Sequence, residues 1–178
     1  MDGSRTRQQL IRILQNAYSG ELAAGYAYRG HWKSVTDPLE RGRIRQIENE
    51  EWVHRKRVGE MLAALDSNPD KVKEVRRWIT GRVIGAACHI TGRFLPMYFA
   101  GRLECGNVKE YEDAATRAGE LGLSELETDL RKMSAVEKEH ELFFMSMVAG
   151  HRALPLVRVL FNWGPPDLAD TESEEAET

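Results

Sequence analysis

The sequence predicts an all-α protein: an antiparallel four-helix bundle with a long crossover in its middle and a short apolar segment near its C-terminal end. Three observations predict it. Four stretches repeat apolar residues at the three- and four-residue steps of a helix face that packs against other helices. Clusters of Pro, Gly, Asp, Asn and Ser separate those stretches where two helical hairpins need their turns and their connection. Each of the four apolar stripes is broken once by a glutamate, and the breaks fall at about the same level of the bundle.

The first helix is expected from about Ser4, a plausible N-cap, to Lys33, with the stripe Leu10, Leu14, Ala17, Glu21, Gly25, Tyr28 and Trp32. Ser34-Val35-Thr36-Asp37-Pro38 reads as the turn. Pro38 suits the first position of the second helix, with Asp37 as its cap. That helix carries Ile44, Ile47, Glu51, His54, Val58, Met61 and Leu65, and Asp66-Ser67-Asn68-Pro69 stops it. Residues 66–93 are long enough for a lengthwise crossover; Asp70–Trp78 reads as a short helix and Ile79–Ile90 as an apolar, glycine-punctuated run. The third bundle helix should cover about Phe94 to Gly119, with the stripe Met97, Gly101, Glu104, Val108, Tyr111, Ala115 and Ala118. Gly122 turns the chain, and Ser124 with Glu127 reads as a capping box for the fourth helix. The last stripe, Leu126, Leu130, Met133, Glu137, His140, Phe144 and Met147, ends near His151. With Val35 and Gly122 as hairpin centres and a rise of about 1.5 Å per residue, Glu21 comes level with Glu51, and Glu104 with Glu137.

A carboxylate buried without a partner is very costly, so it must be neutralised, paired or bound to metal. Here the four helices supply Glu, Glu-x-x-His, Glu and Glu-x-x-His, the ligand set of a dinuclear carboxylate centre inside a helical bundle. The candidate metal ligands are Glu21, Glu51, His54, Glu104, Glu137 and His140, with the four glutamates as the catalytic carboxylates. A buried salt-bridge network is the rival, but Arg29 and Arg55 fall off the stripes. Two divalent ions balance four carboxylates, and carboxylate-rich ligation with imidazole suits iron or manganese. Two iron ions are the expected cofactor, with manganese as the alternative.

The chain's 178 residues suit one domain, residues 1–163, followed by an acidic tail over 164–178 that reads as disordered and solubilising. The formal charge of −3 conceals this division, because six acids and no bases follow Trp163. The body is mildly basic, without the basic stripe and interleaved aromatics of a nucleic-acid surface, so no nucleic-acid partner is expected. Cys88 and Cys105 form no Cys-x-x-Cys and are expected to stay unpaired. No signal peptide is read at the N-terminus, which gives a cytoplasmic expectation. Glu48 and Glu139 lie a step off the stripes, as surface residues or partners behind the ligands. His89 and His151 read as ordinary polar positions, Cys105 as a packed thiol, and Trp52 and Tyr111 as aromatic core filling.

Ser19-Gly20-Glu21-Leu22-Ala23-Ala24 followed by Tyr28-Arg29-Gly30 resembles the opening motif of the demethoxyubiquinone hydroxylases, di-iron monooxygenases of ubiquinone biosynthesis with a ferritin-like fold. The resemblance runs over about residues 8–163. It continues through the apolar crossover from Thr80-Gly81 to Gly92, Glu104 with Tyr111 seven residues on, the second Glu-x-x-His, and an apolar segment containing Pro155. It implies the same six ligands. Leu22 stands where the family has Tyr, His31 where it has Gln, and Glu110 where a His-Tyr pair is expected, so the residues behind the ligands depart from the family's pattern.

Three classes of function follow. The first is an O2-activating oxidoreductase that oxidises a small organic substrate, such as a lipid-soluble quinone, with electrons from an external donor. The second is a rubrerythrin- or ferritin-like protein that oxidises Fe2+ or reduces peroxide. The third is a metal-stabilised interaction module without turnover. The segment Leu154–Trp163 is too short to span a bilayer, which takes roughly 20 residues. It reads as a strap over the bundle end, a homodimer contact, or a peripheral contact with the inner membrane that would admit a lipid-soluble substrate.

Overall fold

The computed structural model describes residues 3–165, and among them there are six helices and no strand. They are α1 (Gly3–Ser34), α2 (Pro38–Ala64), α3 (Lys71–Ala87), α4 (Phe94–Glu120), α5 (Ser124–Val148) and α6 (Leu154–Phe161). The tail expected to be disordered falls, beyond residue 165, outside the described residues. Helices α1, α2, α4 and α5 are the expected bundle. α1 pairs with α2 and α4 with α5, and the two hairpins meet where α1 packs on α4 and α2 touches α5.

Local chemistry explains most of the helix ends. Asp37 accepts the backbone N–H groups of Leu39 and Glu40, with Pro38 starting α2. Asp70 does the same for α3 through Val72 and Lys73. Gly122, at φ +70°, makes the left-handed turn between α4 and α5. Two expected caps are corrected. Ser4 lies inside α1, which already begins at Gly3. Ser124 is the first residue of α5 and no side chain caps that end. Glu127 accepts from Arg131 one turn on instead of folding back, so no capping box forms.

The crossover also differs from expectation. In place of a short helix ending at Trp78, α3 is 17 residues long and runs from Lys71 to Ala87. The glycines that read as punctuation are contact points. A Cβ on Gly81 would run into the main chain of Ala23, and Gly85 lies against Gly30 and the carbonyl of Tyr26. Backbone thus meets backbone, and α3 runs parallel to α1 along its length. Lys73 Nζ donates to Asn16 Oδ1 at 2.6 Å near one end, and Gly85 faces Gly30 near the other. Packing has overridden the low helix propensity of glycine.

The buried apolar residues form two clusters rather than one. The first gathers Leu10, Leu14, Val58, Met61, Leu62, Tyr111, Ala115 and Leu130. The second gathers Tyr28, Ile44, Ile47, Met97, Tyr98, Phe144, Val148 and Trp163. Between them lies the layer holding the buried glutamates. At the second cluster's end, α6 and Trp163 close over α4 and α5. The Tyr98 hydroxyl donates to the carbonyls of Val157 (3.0 Å) and Trp163 (2.6 Å), and the Trp163 ring covers Gly101. Leu154 and Val157 face inward, while Leu156, Val159 and Leu160 are exposed. Among the described residues, no helix is long and apolar enough to cross a membrane.

Candidate metal centre

All six residues singled out in the stripes arrive in one place, each from the helix that was expected to carry it. Glu21 comes from α1, Glu51 and His54 from α2, Glu104 from α4, and Glu137 and His140 from α5. All are buried, and Glu51, Glu104, Glu137 and His140 have no exposed surface. They form two overlapping groups: Glu21, Glu51, His54 and Glu137, and Glu51, Glu104, Glu137 and His140. Within each group one ligand atom per residue lies within 4.8 Å of the others, and Glu51 and Glu137 belong to both.

The polar bookkeeping of this layer does not close on protein atoms alone. Both oxygens of Glu51, Glu21 Oε2, Glu137 Oε2 and His140 Nδ1 are buried without a hydrogen-bond partner. Groups of this kind are nearly always satisfied in folded proteins. His54 Nδ1 lies 2.7 Å from Glu137 Oε1, and His140 Nδ1 lies 3.4 Å from Glu51 Oε1 and 3.5 Å from Glu137 Oε2. Both imidazoles therefore turn the same nitrogen inward. A pair of divalent cations fits the donor set, because it supplies the positive charge that the orphaned oxygens lack.

Without cations the four carboxyls cannot all ionise. Burial, then the charge of Glu137, pushes Glu51 and Glu104 well above the ordinary carboxylate range. Burial also raises Glu21. Burial works against Glu137 too, but the nearby imidazoles of His140 and His54, the latter hydrogen-bonded to it, prevail and hold it below the usual range. For His54, burial opposes the charged form, and the carboxylates of Glu137 and Glu21 more than reverse that. The pattern is that of neighbouring acids in a dry site.

A second layer of contacts holds the first. The Tyr28 hydroxyl donates to Glu104, and the Tyr111 hydroxyl donates to Glu21. Asn107 Nδ2 donates to Glu104 Oε2 at 2.8 Å, and His140 Nε2 meets Glu50 Oε2 at 2.7 Å. Sequence reasoning had Tyr111 as core filling, gave both tyrosines a place in the stripes and in the family resemblance but no contact with a ligand, and passed over Glu50 and Asn107. A signal for the tyrosines was available: both follow their glutamate by seven residues, two turns along the same face. Nothing comparable pointed to Glu50, whose side chain is about a third exposed.

The remaining candidates sort themselves. Glu48 is buried but turned away from the cluster, accepting from Arg29 (2.8 Å), Trp32 (2.6 Å) and Trp52 (3.2 Å). Glu139 and His89 are exposed, and His151 stacks on Phe94. Cys88 and Cys105 are free thiols. Arg29 and Arg55 stay off the centre, Arg55 binding the Tyr18 carbonyl and Glu74.

No protein-family model matches this chain. No curated protein matches it either. Among solved structures, a crystal structure described as ferritin-like, diiron-carboxylate proteins from Bacillus anthracis str. Ames superposes with a TM-score of 0.61 at 18% sequence identity. The superposition takes in 80% of this chain and 97% of that one. At that identity the likeness speaks for the architecture: the chain has a ferritin-like helical bundle fold, with a buried Glu/His cluster at its middle.

Proposed function

We propose that this protein is a di-iron oxidoreductase that activates O2, with Glu21, Glu51, His54, Glu104, Glu137 and His140 holding two iron ions and manganese as the alternative metal. The observation that carries the reading is the pair of overlapping ligand groups with unpartnered, fully buried oxygens. Two such ions supply Lewis acidity and two-electron redox chemistry toward dioxygen.

The chain's own part is positional and electrostatic. Glu51 and Glu137, common to both groups, fix the spacing of the two positions. Tyr28 and Tyr111 hold the outer carboxylates of Glu104 and Glu21, each from the opposite hairpin. Burial keeps bulk water from the layer and strengthens every charge interaction within it.

The finer reading is monooxygenation of an apolar, quinone-like substrate, as in the demethoxyubiquinone hydroxylases of ubiquinone biosynthesis. One atom of O2 enters a C–H bond and the other leaves as water, with two electrons and two protons from an external donor. The exposed apolar residues Leu156, Val159 and Leu160 on α6, and Val83 and Ile84 on α3, support peripheral contact with the inner membrane, where such a substrate dissolves. The same faces would serve a homodimer. One observation favours the second reading, Fe2+ oxidation or peroxide reduction. Glu110 is a half-buried carboxyl close enough to Glu21 to feel its charge, a further acid beside the cluster.

Anaerobic Fe2+ loading of the full chain, metal counting, and optical spectra on adding O2 test the proposal. Two ions per chain and an O2-dependent absorption change are expected. Glu51→Ala and Glu137→Ala should each lose most of the metal, and full retention of two ions in both variants removes the proposed ligand set.

A further inference from the structure

The metal layer is built on a near-twofold plan. Glu21 and Tyr28 in α1 correspond to Glu104 and Tyr111 in α4, at the same seven-residue interval. Glu51 and His54 in α2 correspond to Glu137 and His140 in α5, at the same three-residue interval. The tyrosine contacts obey the symmetry, since Tyr28 reaches Glu104 and Tyr111 reaches Glu21.

The other supporting contacts break it. Glu50, one residue before Glu51, takes the outer nitrogen of His140 at 2.7 Å. Its counterpart, one residue before Glu137, is Val136, which offers His54 no acceptor. Asn107, three residues after Glu104, donates to Glu104 Oε2 at 2.8 Å. Its counterpart three residues after Glu21 is Ala24, which has no donor to give. Glu50 is itself held in place by Arg43 Nη1 at 3.1 Å and Gln46 Nε2 at 2.8 Å. Burial follows the same division: Glu104 and His140 have no exposed surface, whereas Glu21 and His54 keep 3% and 5%.

An outer carboxylate on a metal-binding imidazole fixes its tautomer and orientation and raises its basicity, and an outer donor fixes a carboxylate's rotamer. Both kinds of support are concentrated on one half. Resting on the dinuclear reading above, we infer that the two metal positions are unequal: the one served by Glu104 and His140 is held tightly, and the one served by Glu21 and His54 is exchangeable. Glu50 and Asn107 are the positioning residues that create the difference.

The test is an anaerobic calorimetric titration of the metal-free full chain with Fe2+, with metal stoichiometry as the readout and helical content checked by circular dichroism. The wild-type protein should take up two ions in two steps separated by at least about tenfold, the scale on which outer partners act. His140→Ala should abolish the tight step, and His54→Ala should leave it and remove the weak one. Glu50→Gln with Asn107→Ala should weaken the tight step by roughly 10–100-fold and leave the weak step in place, which a general loss of folding would not do. Val136→Glu, which restores the missing acceptor on the other half, should strengthen the weak step; an unchanged weak step counts against the inference. Two ions bound in one indistinguishable step by the wild-type chain, or a tight step lost through His54→Ala instead, overturns the asymmetry while leaving the dinuclear centre standing. Uptake of no ion at all overturns the centre itself, and the asymmetry with it.

Discussion

Removing the metal should leave a protein whose stability falls as pH rises through the neutral range, and the site alone should cause it. Glu51, Glu104 and Glu21 have folded-state pKa values raised by burial, and His54 is raised through Glu137 and Glu21 despite its burial. A raised folded-state pKa means the folded chain holds a proton that the unfolded chain releases. The associated stability is present below the unfolded value and is lost as pH rises toward the folded one. Each such proton gives a slope of about 1.4 kcal/mol per pH unit. At an unfolding entropy of about 2.1 cal/mol/K per residue, a 178-residue chain loses roughly 4 °C of Tm per pH unit per proton. Two groups outside the ligand set complicate the acid side. Burial pushes His31 down to about 4, so its contribution rises with pH until its unfolded value near 6.5 is passed. Burial and the charge of Glu21 push Glu110 up to about 7, with the opposite sign. Glu137, held low, contributes only a loss at strongly acid pH. Above pH 7 these terms are largely spent, and Cys88, pushed up by burial to about 11, begins to cost stability only as pH nears its unfolded value of about 8.5–9. Calorimetric melts of the chelator-treated chain between pH 7 and 8 should therefore decline, and the metal-loaded chain, whose site protons the cations have displaced, should not. Glu104→Gln should flatten the metal-free slope by removing one of the raised carboxyls. Flat metal-free melts over that window, or equal slopes with and without metal, would refute the account of the buried acids.

Tyr28→Phe and Tyr111→Phe should each fold normally and bind metal roughly 10–100-fold more weakly, because a ligand carboxylate loses the hydroxyl that holds it; equilibrium dialysis with Fe2+ under argon checks this. Gly81→Ala should force α3 away from the Ala23 backbone at a cost of about 1–3 kcal/mol, read as roughly 3–8 °C in Tm, with the metal content unchanged. Full-length protein should co-sediment with anionic vesicles at low salt, and Val159→Asp with Leu160→Asp, both at exposed positions, should abolish that binding; no sedimentation of the wild-type chain would remove the physical support for a lipid-soluble substrate.

The bundle and its six inward residues were legible because burial leaves a periodic trace. A glutamate in an apolar stripe contradicts its position, and four such contradictions at one level identify a layer of the fold. What stayed hidden depends on which helix faces which. The seven-residue step from Glu21 to Tyr28 places the hydroxyl two turns along α1, but nothing within α1 says that the hydroxyl will meet Glu104 rather than its own glutamate. Glu50 has the exposure of a surface residue, and only the approach of α5 turns it into the partner of His140. The length of α3 was hidden for a related reason. Gly81 and Gly85 weaken an isolated helix, and they become favourable only when α1 comes close enough to need their missing side chains.

These cross-hairpin contacts bear on how the centre and the fold depend on each other. Contacts are dense within each hairpin and between α1 and α3, sparser between α1 and α4, and few between α2 and α5. The two apolar clusters lie on either side of the glutamate layer, so the layer interrupts the core where the hairpins join. Tyr28 and Tyr111 each tie one hairpin's hydroxyl to the other hairpin's carboxylate there, and Glu51 and Glu137 bring one acid from each hairpin to the same point. Without cations this junction sets like charges against one another; two cations held there would tie the hairpins together. Metal affinity and hairpin docking are then two measures of one free energy, and a substitution that loosens the junction must weaken both.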